Sequence, residues 1–384
     1  MQIPIANGQY RCKLLREPSD TSEQAESRAC GPTSKQFGAL SIAECDPRLS
    51  CVAGPAMVQP AAMNDPVGHH LFIGFRGTDL DTDSRRLLNT VQPGGIVLFA
   101  RNVDSAAQLR RLTAVLRTEI ASRPLIAIDQ EHGRVNRLRP IVGELPTIAG
   151  LKTGGIERVA EFGRQVGQSL RACGVEINFA PVVDLELFPP GTDNALQERC
   201  WGRTADEVIA WTGAFLAGMQ ETGVAGCLKH FPGLGGSHQD SHEHLPTITR
   251  SREQLLAEDL RPYTALQAPL VMVGHGHYPA IDGDRPRPAS VSRAIITGLL
   301  RAQVGFEGLV LTDDMEMGAI FQYAPLPEVV VEAFAAGADV LLACHLPETI
   351  LAIHEALVKA VESGQVRLEP SRARLARVRQ WLGR

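Results

Sequence analysis

Leu125-Ile126-Ala127-Ile128-Asp129 sets four apolar residues in a row and ends them with a carboxylate. Unbroken apolarity over so short a run is the mark of a strand buried on both faces, as parallel strands covered by helices are. The same arrangement recurs on either side of it. Towards the N-terminus stand Leu71–Phe75 and Ile96–Phe99; towards the C-terminus follow Ile177–Ala180, Gly226–Leu228, Leu270–Val273, Leu309–Leu311 and Val340–Ala343. Five of the eight runs lead, at once or within a few residues, into groups able to do chemistry: Asp129, Asp184, Lys229 with His230, His275, and Asp313 with Asp314. One carboxylate opening a loop is ordinary. Five coincidences point to a shared functional end.

Helical spacing fills the intervals. Ser105–Glu119 places Leu109, Leu112 and Leu116 on one face, and Thr204 with Glu207 forms a capping box ahead of Val208, Trp211, Phe215 and Met219. Pro370–Leu382 carries Leu375, Val378 and Leu382 at helical spacing and reads as a docked final helix. Strands alternating with helices imply parallel pairing, and eight units favour closure over an open doubly wound sheet. No glycine-rich dinucleotide fingerprint follows the first strand, which weakens the open alternative. The expected fold is α/β, a single (β/α)8 TIM-like barrel over residues 66–384, with active-site residues on loops at the C-terminal ends of the strands. Residues 1–65 read as a poorly ordered N-terminal extension, with Ser, Pro and Gly among charges in Glu17–Lys35. Met57 and Met63 leave open that the start lies further downstream.

A chain of 384 residues, 44% hydrophobic and 21% charged, suits a globular enzyme with a sizeable core. Its net charge of -5 gives no electrostatic reason to expect nucleic acid or an anionic membrane as partner; a small neutral or mildly charged substrate fits better. Met1–Gly8 lacks the basic start and apolar stretch of a signal peptide, and no apolar segment is long enough to span a bilayer, so a cytoplasmic location is the expected default; the sequence leaves the oligomeric state open, with a monomer as the default. The eight cysteines form no CxxC pair, and neither a zinc site nor a disulfide framework is indicated.

Beyond the fifth run lies Lys229-His230-Phe231-Pro232-Gly233-Leu234-Gly235-Gly236-Ser237-His238-Gln239-Asp240-Ser241-His242-Glu243-His244, a glycine-rich loop loaded with His and Asp. Asp240 and His242 flank a single residue, a spacing that lets a carboxylate fix an imidazole tautomer for proton transfer; a solvated polar loop is the equal alternative. His238, His242 and His244 also have a metal reading, which the flanking glycines and the missing HExxH frame make the weaker one. Asp313, at the end of Leu309-Val310-Leu311-Thr312, is placed as a nucleophile or electrostatic stabiliser. Asp129 opens a loop that carries Arg134 and Arg137, a carboxylate and guanidinium set suited to hydroxyl groups or to an internal ion pair.

Taken together, these segments resemble glycoside hydrolase family 3, in its single-domain β-N-acetylglucosaminidase branch. The likeness runs from about Gly68 to Arg384 through Gly94–Asn102, Asp129-Gln130-Glu131, Asn178–Asp184, Lys229–Gly233, Asp240-Ser241-His242, Pro288–Ser290 and Thr312–Met315. It implies retaining hydrolysis of terminal β-linked N-acetylglucosamine from small glycoconjugates, peptidoglycan-turnover fragments among them, without metal or organic cofactor. Asp313 is then the nucleophile and His242, assisted by Asp240, the acid/base. Asp129, Arg137, Arg199, Lys229 and His230 hold the sugar, Asp184 supports the loop after the fourth strand, and His275 and Met315 line the pocket. Phosphorolysis of the same bond, a β-glucosidase, and a sugar-binding protein without turnover are the rival readings. The chain departs from the family at Leu234, where a histidine is common, at Gly236 for a polar residue, at Thr312 for serine and at His132 for glycine.

Overall fold

A computed structural model describes residues 67–189, 196–237 and 244–384. The extension expected over 1–65 lies outside the described residues, as do Asp240 and His242. Eight parallel strands close into a barrel: β1 (Leu71–Ile73), β2 (Gly95–Leu98), β3 (Leu125–Ile128), β4 (Ile177–Asn178), β5 (Ala225–Phe231), β6 (Leu270–Val273), β7 (Leu309–Asp314) and β8 (Val340–Ala343). Neighbours pair in sequence order, and β8 returns to β1 with Leu71 opposite Leu341 and Ile73 opposite Ala343. The expected (β/α)8 architecture is the observed one.

Strand period sorts the apolar residues into two cores. Phe72, Val97, Ala127, Phe179, Cys227, Met272, Leu311 and Leu342 point inward and fill the barrel, while Leu71, Ile73, Ile96, Leu98, Ile126 and Ile128 point outward beneath the helices. Gly95 makes room for the interior: a Cβ there would stand 2.6 Å from the Phe72 ring. Helix Ala106–Glu119 begins where its sequence says, with Ser105 Oγ accepting from the Gln108 amide at 3.2 Å. The Thr204–Glu207 box is only half formed. Thr204 Oγ1 accepts from the Glu207 amide at 3.3 Å, but the Glu207 carboxylate accepts from the Arg203 amide instead of closing back on Thr204. Two strands run longer than their apolar runs, because β5 continues through Lys229 and His230 and β7 through Asp313 and Asp314.

The final helix, Glu369–Trp381, lies across the N-terminal end of the barrel. Leu375 and Val378 join the interior core there, and Arg379 donates to the carbonyls of Arg123 and Gly94. Buried Asp339, just before β8, holds this floor together: its carboxylate accepts from Arg301, Arg374, Ser371 and the Val310 amide at 2.7–2.9 Å. No described helix is long and apolar enough to cross a membrane.

Candidate active site

At the opposite end, the same alternation that fills the barrel delivers polar groups to its mouth. Ala127 points inward, so Asp129 two residues on emerges on the inward face beyond β3; Lys229 and Asp313 fall where the registers of β5 and β7 shift, and all three charges act on inward-facing Cys227. Lys229 Nζ lies 2.5 Å from Asp129 Oδ1 and 2.9 Å from Glu131 Oε1. Glu131 in turn takes a two-pronged grip from Arg199, with Nη2 to Oε1 at 2.7 Å and Nε to Oε2 at 3.0 Å.

Two anions and two cations thus interlock at the mouth, three of them with little access to solvent. Burial pushes the Glu131 carboxyl up, but Arg199 and Lys229 outweigh it and hold the group well below the usual carboxylate range. Burial works against the Lys229 ammonium as well, and Asp129 and Glu131 reverse it, so the lysine stays charged. Asp129 remains the open member, with its side chain 20% exposed. Of the residues expected to hold the sugar, Asp129, Arg199 and Lys229 come together here.

His230 forms an adjoining unit. Its Nδ1 lies 2.7 Å from Asp184 Oδ2, which also accepts from the His230 amide at 3.0 Å, while Asp184 Oδ1 accepts from the Leu234 amide at 2.6 Å. With Nδ1–H donating to Asp184, the imidazole keeps Nε2 as an acceptor. Asp184 therefore ties the β4 loop to the β5 loop. Leu234 packs in the outer core and anchors the loop through its amide and an apolar side chain.

Arg137 stands apart from the charge cluster. Its guanidinium lies over the Phe99 ring at 5.8 Å, and its buried Nε has no hydrogen-bond partner among the described residues. Asp313 is the penultimate residue of β7, with its Oδ1 accepting from the Asp314 amide at 2.8 Å. Two pocket residues are placed differently from expectation. Met315 is fully buried in the outer core, and His275, equally buried, spends its ring nitrogens on Ser290 Oγ at 2.8 Å and the Asp314 carbonyl at 2.9 Å. Among the described residues, no three His, Cys, Asp or Glu side chains converge as a metal site requires.

Glu131 is the residue that the reading of single positions passed over. Its signal lay in the i, i+2 spacing from Asp129, which returns both carboxylates to one face of an extended segment. His132 fills the place of a common glycine by packing its ring edge-on against Trp201, centroids 5.2 Å apart.

Residues 62–380 match the family model described as the glycosyl hydrolase family 3 N terminal domain. A β-hexosaminidase of Alkalilimnicola ehrlichii is 36% identical over 293 residues, covering 74% of this chain and 82% of the relative. Among solved structures, a glycoside hydrolase family 3 β-N-acetylglucosaminidase from Paenibacillus sp. str. FPU-7 superposes with a TM-score of 0.79 at 35% identity. That match covers 84% of this chain and 63% of the other, so this chain spans a little under two thirds of that protein. A family 3 glycosyl hydrolase from Mycobacterium smegmatis gives a TM-score of 0.74 at 31% identity over 83% of this chain and 96% of that one. With the barrel, its polar mouth and these matches in agreement, the chain belongs to glycosyl hydrolase family 3, in the β-hexosaminidase-like branch, with the barrel as its catalytic domain.

Proposed function

We propose that this glycoside hydrolase is a retaining β-N-acetylhexosaminidase that removes terminal, non-reducing β-linked N-acetylglucosamine from small glycoconjugates, peptidoglycan-turnover fragments being the natural class. The observation that carries the reading is the convergence of Asp129, Lys229 and Asp313 around Cys227 at three strand ends, with Glu131 and Arg199 locked beside them. The relatives' names, β-hexosaminidase and β-N-acetylglucosaminidase, support the sugar.

In this scheme Asp129, Lys229, Arg199, Arg137 and His230 hold the sugar hydroxyls. Lysine offers three donors, of which Asp129 and Glu131 engage two, leaving one for a hydroxyl. Asp313 attacks the anomeric carbon as the bond to the leaving oxygen breaks, and His242, aligned by Asp240, gives that oxygen its proton. Water then loses a proton to His242 and adds to the same carbon, releasing Asp313. The transition state is oxocarbenium-like, and the Asp313 carboxylate stands to meet its positive charge.

The test is hydrolysis of an aryl β-N-acetylglucosaminide against the matching β-glucoside, with and without phosphate, in wild type and Asp313→Asn. Preferential, phosphate-independent cleavage of the acetamido sugar is expected, with turnover falling by about 10³-fold or more in the variant while sugar binding is kept. Glycosyl phosphate as main product would reassign the enzyme to phosphorolysis. A folded wild type that cleaves neither substrate would leave a sugar-binding protein.

A further inference from the structure

Behind Asp313 lies a second polar cluster that the reaction scheme does not use. Glu316 reaches from the end of β7 to the loop after β8, where its carboxylate accepts from the His345 amide at 2.5 Å and the Leu346 amide at 2.8 Å. Asp314, between Asp313 and this latch, is gripped at three points. Its Oδ1 accepts from the Glu316 amide at 3.0 Å, its Oδ2 lies 3.3 Å from His345 Nε2, and its carbonyl lies 2.9 Å from His275 Nε2. Arg101 closes the far side, with Nη1 3.3 Å from His345 Nδ1 and Nη2 donating to the Cys344 carbonyl at 2.5 Å. A guanidinium donating into Nδ1 assigns the imidazole proton to Nε2, where it faces Asp314.

We propose that Glu316 is a positioning residue for the nucleophile: by bridging the β7 and β8 loops, it fixes Asp314 and, through the Asp314 backbone, the orientation of the Asp313 carboxylate. The inference rests on Asp313 being the nucleophile. Geometry at the reacting atoms sets the rate, and a displacement of about 1 Å costs on the order of 10²-fold. The groups facing Glu316 are Asp314 on its own segment, Cys344 and His345 after β8, and Arg101 after β2, with Arg76 beyond it. Burial first, then the Asp314 charge, raises the Glu316 carboxyl to about 7, against weaker opposition from the His345 and Leu346 amides. Only the ionised carboxylate can accept from both amides without turning one oxygen into a donor. The latch is therefore complete above about pH 7 and loosens below it.

Glu316→Gln keeps one good acceptor and Glu316→Ala keeps none. For an activated aryl N-acetylglucosaminide, kcat should fall about 10-fold and about 100-fold respectively, with KM within about threefold. The acid limb of the wild-type profile near pH 7 should be missing from Glu316→Gln. The rate at which a 5-fluoro N-acetylglucosaminyl fluoride labels Asp313, followed by intact mass, should fall in parallel. If Glu316→Ala does not fold, Glu316→Gln and the wild-type profile decide. Wild-type kcat and an unshifted acid limb in Glu316→Gln overturn the inference and leave the hydrolase reading intact. A folded wild type that neither turns over nor labels removes both.

Discussion

Glu131 accepts from Arg199 and Lys229 at once while almost closed off from water, so removing its charge strands two cations in a poorly solvated site. Breaking such a buried arrangement costs about 3–5 kcal/mol. Glu131→Gln should therefore lower the urea midpoint and raise KM for the sugar more than it lowers kcat, since Lys229 and Arg199 lose their fixed directions; an unchanged KM would detach the cluster from sugar binding. Asp259 offers a test by pH. Burial, opposed by Arg250 and reinforced by Asp184, raises its carboxyl to about 7, and its Oδ1 has no hydrogen-bond partner among the described residues. A carboxyl raised on folding binds its proton more tightly in the native state, so its contribution is full below the unfolded value and is lost as pH rises through about 7. Melting temperature should thus decline from about pH 4 to pH 7 in wild type, and Asp259→Asn should flatten that decline. Single residues were the least legible scale in the sequence. Asp129, Lys229 and Asp313 announced themselves by ending apolar runs, whereas the partnership of Glu131 with Arg199 spans 68 positions and exists only once the barrel closes.

Among the elements, helices Gly155–Ala172 and Ala205–Gln220 pack closely together, and reciprocal glycines permit it. A Cβ on Gly163 would meet the Phe215 carbonyl oxygen at 2.1 Å, and one on Gly218 would meet the Ala160 carbonyl oxygen at 2.0 Å. Backbone cannot step aside as a flexible side chain can, so Gly218→Ala should destabilise by about 1–3 kcal/mol, read as a lower urea midpoint with an unchanged slope. Tolerance of alanine there would mean that the helices slide apart freely. The apolar runs located every strand because parallel strands buried on both faces leave an unbroken signature. They ended β5 and β7 too soon. Lys229 and Asp313 still lie within their strands, but a hydropathy reading stops at the first charged residue, and in this fold the charged strand ends make up the mouth. The half-formed cap at Thr204 failed for a comparable reason, since a competing amide on Arg203 took the Glu207 carboxylate.

Across the whole molecule, the two barrel ends divide the work. Carboxylate hubs stand at both, with Glu131 at the mouth and Asp339 at the floor, where it gathers Arg301, Arg374 and Ser371. Conserving activity while losing stability is the expected signature of the floor. Asp339→Asn should lower stability by about 3–5 kcal/mol yet leave kcat/KM at low temperature within about twofold of wild type; a large loss of kcat/KM in the folded variant would show that floor and mouth are coupled. Closure itself was legible from eight repeated units. That Leu375 and Val378 would complete the interior was not, because helical spacing identifies a helix without saying which surface it covers. Their position also sets a timetable for synthesis. A ribosome emits all eight strands before these two side chains, so β8 can reach β1 while the floor of the nascent barrel is still open. Until Leu375 and Val378 follow, that interior is an apolar surface available to chaperones and proteases, and the barrel is sealed only once the helix Glu369–Trp381 has emerged.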